Sequence, residues 1–154
     1  MQTGDEVPDF ELPDQDGVPR RLSDLLADGP VVLFFYPAAM TRGCTAEACH
    51  FRDLGTEFAE LGAQRVGISA DEVTDQRRFA DTNEFDYPLL SDPDGAVATR
   101  FGVRRGGLLS GLAPTRRQTF VIGTDRRVLH VVRSEVRMQV HADEALRALR
   151  AARG

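Results

Sequence analysis

The sequence predicts an α/β fold, a central mixed β-sheet flanked by helices and carrying an N-terminal β-hairpin extension. Three observations carry this. Val31 to Tyr36 (VVLFFY) is an unbroken apolar run rich in β-formers, the pattern of a strand buried on both faces. A helical period from about Thr45 to Leu61 separates it from a second strand-like segment, Arg65 to Ser69, and strand, helix, strand is a parallel unit. Thr119 to Ile122 and Val128 to Val132 alternate around Gly123 to Arg127, which reads as an antiparallel hairpin.

Taken in order, Asp9 to Leu12 and Val18 to Leu22 form the first hairpin, joined by a turn over Pro13-Asp14-Gln15-Asp16-Gly17. The buried strand follows. The helix from Thr45 to Leu61 sets Phe51, Leu54, Phe58 and Leu61 on one face, and Gly62 ends it. A second helix is expected from about Val73 to Glu84, a short strand over Pro88 to Leu90, and a turn at Pro93-Asp94-Gly95. Ala142, Ala145, Leu146 and Leu149 mark a C-terminal amphipathic helix. Arg104 to Pro114 is Gly-rich and reads as a flexible loop. Its glycines do not link a strand to a helix, so it is no dinucleotide fingerprint.

The chain has 154 residues, no repeat and no linker, and is expected to be a single domain, 1–154. A formal net charge of -5 disfavours nucleic acid and anionic membranes. All 19 Lys+Arg positions are Arg, which removes lysine Schiff-base chemistry and a P-loop lysine. The segment MQTGDEVPDF lacks the basic and apolar regions of a signal peptide, and the longest apolar run, Val31 to Met40, is too short to span a bilayer. A cytoplasmic location is the expectation. Thiols are kept reduced there, so the two cysteines are either buried fillers or redox-active groups.

Cys44 follows the first buried strand and opens the first helix. Open α/β sheets place their sites at this edge. A helix N-terminus offers unpaired N–H groups and partial positive charge, both of which stabilise a thiolate. Thr41 could donate to the sulfur or to a bound oxygen, and Gly43 lets the backbone approach closely. An ordinary buried cysteine is the competing reading, and the strand-to-helix position with a second cysteine nearby argues against it. Cys49 is five residues on. In an intact helix the two Cα atoms stand about 8.7 Å apart, whereas a disulfide needs roughly 4.4–6.8 Å. Either Cys49 is inert, or the first turns unwind to join the sulfurs. A metal site of Cys44, Cys49 and His50 fits no usual zinc spacing, and the C-x-x-C of a dithiol oxidoreductase is absent.

The motif P-x-x-x-T-x-x-C, here Pro37, Thr41 and Cys44, resembles the peroxiredoxin active-site motif. G-C-T-A-E-A-C-H-F-R-D resembles the branch called bacterioferritin comigratory protein, or peroxiredoxin Q, and the similarity runs from G-D-E-V-P-D-F-E-L-P-D to R-Q-T-F-V-I-G. The resemblance implies a thioredoxin-like fold and a thiol peroxidase acting on hydrogen peroxide and organic hydroperoxides. It implies Cys44 as the attacking thiolate, Cys49 as the resolving thiol, and Arg117 of R-Q-T-F-V-I completing the site, with Arg116 a surface charge. Pro37 would shield the sulfur. It further implies no cofactor and no metal, a monomer, and reduction by thioredoxin or a similar dithiol. Three positions depart from the branch: Arg42 stands where Pro is usual, Ala38 where Lys is usual, and Gly123 where Asp is common. A redox-sensing or holdase protein using the same cysteines without rapid turnover is the alternative.

Overall fold

A computed structural model describes residues 1–105 and 115–153. The elements run β1 (Glu11–Pro13), β2 (Pro19–Arg21), α1 (Leu22–Leu26), β3 (Val31–Phe35), α2 (Arg42–Asp53), α3 (Gly55–Glu60), β4 (Gln64–Ser69), α4 (Val73–Asn83), β5 (Leu89–Ser91), α5 (Ala96–Arg100), β6 (Gln118–Ile122), β7 (Val128–Arg133) and α6 (Gln139–Arg153). The main sheet has the order β5-β4-β3-β6-β7. β3 pairs parallel with β4 and antiparallel with β6, so the sheet is mixed, as its sequence pattern requires. β1 and β2 form the separate N-terminal hairpin.

β3 is buried from end to end, and its alternating side chains divide the interior in two. Val31, Leu33 and Phe35 join a cluster with Leu22, Leu25 and Leu26 of α1 and Val97 and Ala98 of α5. Val32, Phe34 and Tyr36 face the other way, onto Ala48 and Phe51 of α2, Phe79 of α4 and Ala142, Ala145, Leu146 and Leu149 of α6. Phe34 and Phe51 stack at 4.1 Å, which fixes α2 against the sheet at the point where β3 delivers the chain to it.

Three elements differ from expectation. The helix expected over Thr45 to Leu61 starts at Arg42 and is two helices, broken at Leu54. Arg65 explains the break. Its Nη1 donates to the carbonyls of Phe51 and Arg52 at 3.0 and 3.4 Å, capping α2 from the neighbouring strand. Phe51 and Phe58 are nevertheless both fully buried, so the predicted apolar face holds across the break. The second strand of the hairpin ends at Arg21 and the chain turns at once into α1, whose start is held from before the hairpin: the Leu22 N–H donates to the Phe10 carbonyl at 3.0 Å, and the Asp9 carboxylate accepts from the Ser23 N–H and hydroxyl at 2.9 and 2.8 Å. α5 is too short to show a helical period. Buried Asp92 starts it by accepting the N–H groups of Val97 and Ala98. Most of the expected Arg104 to Pro114 loop lies outside the described residues; its flanks, Arg104 and Thr115, meet in an antiparallel bridge.

No helix among the described residues is long and apolar enough to cross a membrane.

Candidate active site

Between β3 and α2 the chain turns through Pro37 to Thr41. The Ala39 N–H is held by Asp71 at 2.7 Å, and Asp71 in turn accepts from the Ser69 hydroxyl at 2.6 Å, so the turn is tied to the end of β4. Met40 takes a left-handed conformation with φ 65°, uncommon for a side chain of its kind and typical of strained functional turns. Thr41 is the N-cap of α2. Its hydroxyl donates to the Ala38 carbonyl at 2.7 Å, bracing the turn.

Cys44 is the third residue of α2 and is 1% exposed. Arg117, immediately before β6, reaches it: Nη2 lies 3.3 Å from the sulfur. Nη1 of the same guanidinium donates to Glu47 Oε1 at 2.9 Å, and the Arg117 backbone N–H faces the Glu135 carboxylate at 3.2 Å. Burial works against the charge of Arg117, but Glu47 and the Cys44 sulfur together hold its pKa above the ordinary value. Arg116, by contrast, is exposed. Gly43 fits the tight packing here: a Cβ on it would come 3.1 Å from Met138 Cε and 3.4 Å from Arg117 Nη2.

Cys49 lies on the same unbroken α2, half-buried, its sulfur 3.7 Å from Asn83 Oδ1 at the end of α4. Both thiols are free. Two contacts secure the helix between and beyond them. The Tyr87 hydroxyl donates to the Ala48 carbonyl at 2.7 Å, and His50 Nε2 meets Asp143 Oδ1 at 2.8 Å.

Sequence reasoning placed Pro37, Thr41, Cys44, Cys49 and Arg117 around one helix start, and the fold brings Arg117 onto Cys44 across 73 residues of chain. It missed Glu47 and His141, both fully buried. Glu47 stands three residues after Cys44 on the same helix face, and His141 stands four before Ala145 on the inner face of α6. Those spacings were the available signal. Burial pushes the Glu47 pKa up to about 8 against the pull of Arg117, and pushes that of His141 below its ordinary value.

A buried thiol at a helix start, with an arginine held on it by a second buried side chain, Glu47, defines a site for thiol chemistry. The AhpC/TSA family pattern matches residues 3–131, and the chain belongs to that family. It is a peroxiredoxin, a thiol peroxidase with two cysteines and a thioredoxin-like fold. A Mycobacterium tuberculosis protein bearing the name peroxiredoxin is 67% identical over 153 residues, 99% of each chain. The crystal structure of the peroxidoxin BcpB of the same species superposes with a TM-score of 0.95 at 66% identity, covering 100% of this chain and 99% of that one. The bacterioferritin comigratory protein of Xanthomonas campestris, whose structures bear on alkyl peroxide reduction, gives a TM-score of 0.85 at 31% identity over 94% of this chain and 92% of that one. These relatives set the chain in the bacterioferritin comigratory protein, or peroxiredoxin Q, branch.

Proposed function

We propose that the chain reduces hydrogen peroxide and organic hydroperoxides through a Cys44 sulfenic acid, resolved by a disulfide to Cys49 and recycled by thioredoxin or a similar dithiol. The observation that carries this reading is the 3.3 Å contact between Arg117 Nη2 and the Cys44 sulfur at the first turn of α2. The thiolate attacks the terminal oxygen of ROOH. The O–O bond breaks, the sulfur takes that oxygen with a proton as S–OH, and RO⁻ leaves to be protonated as ROH. Arg117 stabilises the charge as it moves from sulfur to the departing oxygen, and the N–H groups of the first turn of α2 add to it. Glu47 keeps the guanidinium in place. Pro37 is assigned to shield the sulfur, and Thr41 braces the turn between them through Ala38. The Cys49 thiol then displaces water from the sulfenic acid, and the dithiol donor reduces the disulfide by exchange. We infer that these steps call for no metal or cofactor, and that the protein works as a monomer in the cytoplasm. Met40, exposed in the turn before α2, and Met138, packed on Gly43, offer apolar groups next to the Cys44 segment that suit an alkyl group on the peroxide, in keeping with the alkyl peroxide reduction named for the X. campestris relative.

The test is peroxide-dependent NADPH loss coupled through thioredoxin reductase and thioredoxin. Wild type is expected to turn over and Cys44→Ser to consume no peroxide. Turnover retained by Cys44→Ser removes Cys44 as the nucleophile, and a single equivalent consumed by wild type without turnover favours the sensing role.

A further inference from the structure

His141 is fully buried on α6, and the peroxidase reading above gives it no task. Its Nε2 lies 2.8 Å from the Ser134 carbonyl, which can only accept, so Nε2 carries hydrogen. In the neutral ring Nδ1 is then a bare lone pair. It meets the Thr119 hydroxyl at 2.8 Å, and on its other side stands Glu47 Oε2 at 3.6 Å. That oxygen has no hydrogen-bond partner among the described residues. With the Thr119 hydroxyl donating to Nδ1, an ionised Glu47 would face a neutral imidazole that has no hydrogen to give its free oxygen. It would also place a second anion on Arg117, whose other nitrogen faces the Cys44 sulfur. One guanidinium would serve two buried anions, leaving the cluster with uncompensated negative charge far from water.

We propose that Glu47 and His141 hold one proton between them in the reduced enzyme, so that Arg117 is left to a single anion, the Cys44 thiolate. The inference rests on the reading of Cys44 as the peroxide-attacking thiolate. The proton sits on Glu47 Oε2 or on His141 Nδ1, and both microstates give the pair the same total charge. The 3.6 Å separation is wider than a hydrogen bond and within the reach of an ion pair: a proton on Glu47 removes the buried carboxylate charge, and one on His141 sets a cation beside it. Burial favours the first, because it raises Glu47 and lowers His141. The other charges acting on the pair are few: Arg117 with the Cys44 sulfur, Glu135 beside Arg117, and Glu144 on α6, while burial pushes the Tyr87 phenol well above its ordinary value. Loss of the shared proton in alkali adds a negative charge within the site, and the thiolate no longer has the guanidinium to itself. His141 and Glu47 are thus positioning residues that set the pH range over which the site works.

The test joins a rate profile to two spectroscopic signals. Peroxide consumption by reduced protein is followed by rapid quench from about pH 6 to about pH 10. Wild type should lose about tenfold or more of its rate on the alkaline side. Glu47→Gln, a permanent mimic of the protonated acid, is read by the shape of its profile, which should lack that alkaline limb. Difference infrared spectra of the reduced wild type should show the carbonyl stretch of a buried carboxylic acid, absent from Glu47→Gln and lost with the same midpoint as the rate. Ring ¹⁵N shifts of His141 should move at that midpoint. Imidazolium shifts at neutral pH, with no acid band, would put the proton on His141 and equally support the pair. An ionised Glu47 together with a neutral His141 at neutral pH overturns the proposal, as does an alkaline limb that survives in Glu47→Gln. The spectroscopic signals do not depend on turnover, so their failure is distinct from failure of the peroxidase reading, which Cys44→Ser tests.

Discussion

Tyr87→Phe isolates the cost of opening α2. A Cys44–Cys49 disulfide requires the helix between the two residues to unwind, because both lie on the unbroken segment Arg42–Asp53. Ala48 lies within that stretch and is fully buried, and its carbonyl accepts from the buried Tyr87 hydroxyl at 2.7 Å. Unwinding must break this bond. A buried neutral hydrogen bond of this kind contributes a net of about 1 kcal/mol, with the phenyl ring left to fill the same space. Tyr87→Phe should therefore lower global stability by about 1 kcal/mol and raise the population of the opened helix by a factor of about 5. The sulfenic acid should close to the disulfide up to about fivefold faster, and less sulfinic acid should form under excess peroxide. Acid-quenched samples alkylated and weighed by intact-mass spectrometry give both rates. Resolution that is unchanged or slower, in a variant that has lost the expected stability, refutes the argument that opening near Ala48 limits disulfide formation. Asp143→Asn removes the charge from the second tie, the His50 contact. Its exposed carboxylate makes the expected gain smaller, below about threefold.

Arg117→Met should slow peroxide reduction by about 10²-fold or more, while Arg116→Met, at an exposed position, should change it by less than about tenfold; rapid-quench rates for the two variants side by side decide it. Cys49→Ser should consume one equivalent of peroxide, lose thioredoxin-driven turnover and accumulate sulfinic acid, which intact mass reads directly. The raised pKa of Glu47 makes the folded protein bind more protons than the unfolded chain between the ordinary carboxylate range and about 8, so its contribution falls as pH rises through that window. Urea melts across the window should show Glu47→Gln gaining stability relative to wild type, and a difference that stays flat with pH would contradict the burial of that proton.

The unbroken apolar run of β3, the helix start at Cys44 and the parallel βαβ unit were legible because each is a local pattern. So was Arg117, through the R-Q-T-F-V-I resemblance, although the contact itself spans most of the chain. The break at Leu54 was not legible. It depends on Arg65 arriving from β4 to take carbonyls that a lone helix would have kept, and no period within residues 45–61 records a partner from outside. The same holds for α5, started by the Asp92 side chain, and for α1, whose Ser23 N–H is met by Asp9 from the far side of the hairpin. Glu47 and His141 read as ordinary polar residues until three separate elements bring them together with Arg117.

Arg65 has a mechanical consequence. Its guanidinium holds the last carbonyls of α2, grips Asp86 with both nitrogens at 3.0 and 3.1 Å, and lies over the Tyr87 ring at 5.0 Å. The rear of the helix is thereby riveted to the neighbouring strand and to the loop that carries Tyr87, while its front is held by the active-site contacts that oxidation consumes. Under the proposed mechanism an unzipping that begins at Cys44 would meet a fixed stop about two turns on, with Cys44 and Ala48 uncovered and the Phe34–Phe51 stack behind the stop left in place. The length of chain released by oxidation would then be set by one side chain, and the helix could open and close at its front while its rear stays docked.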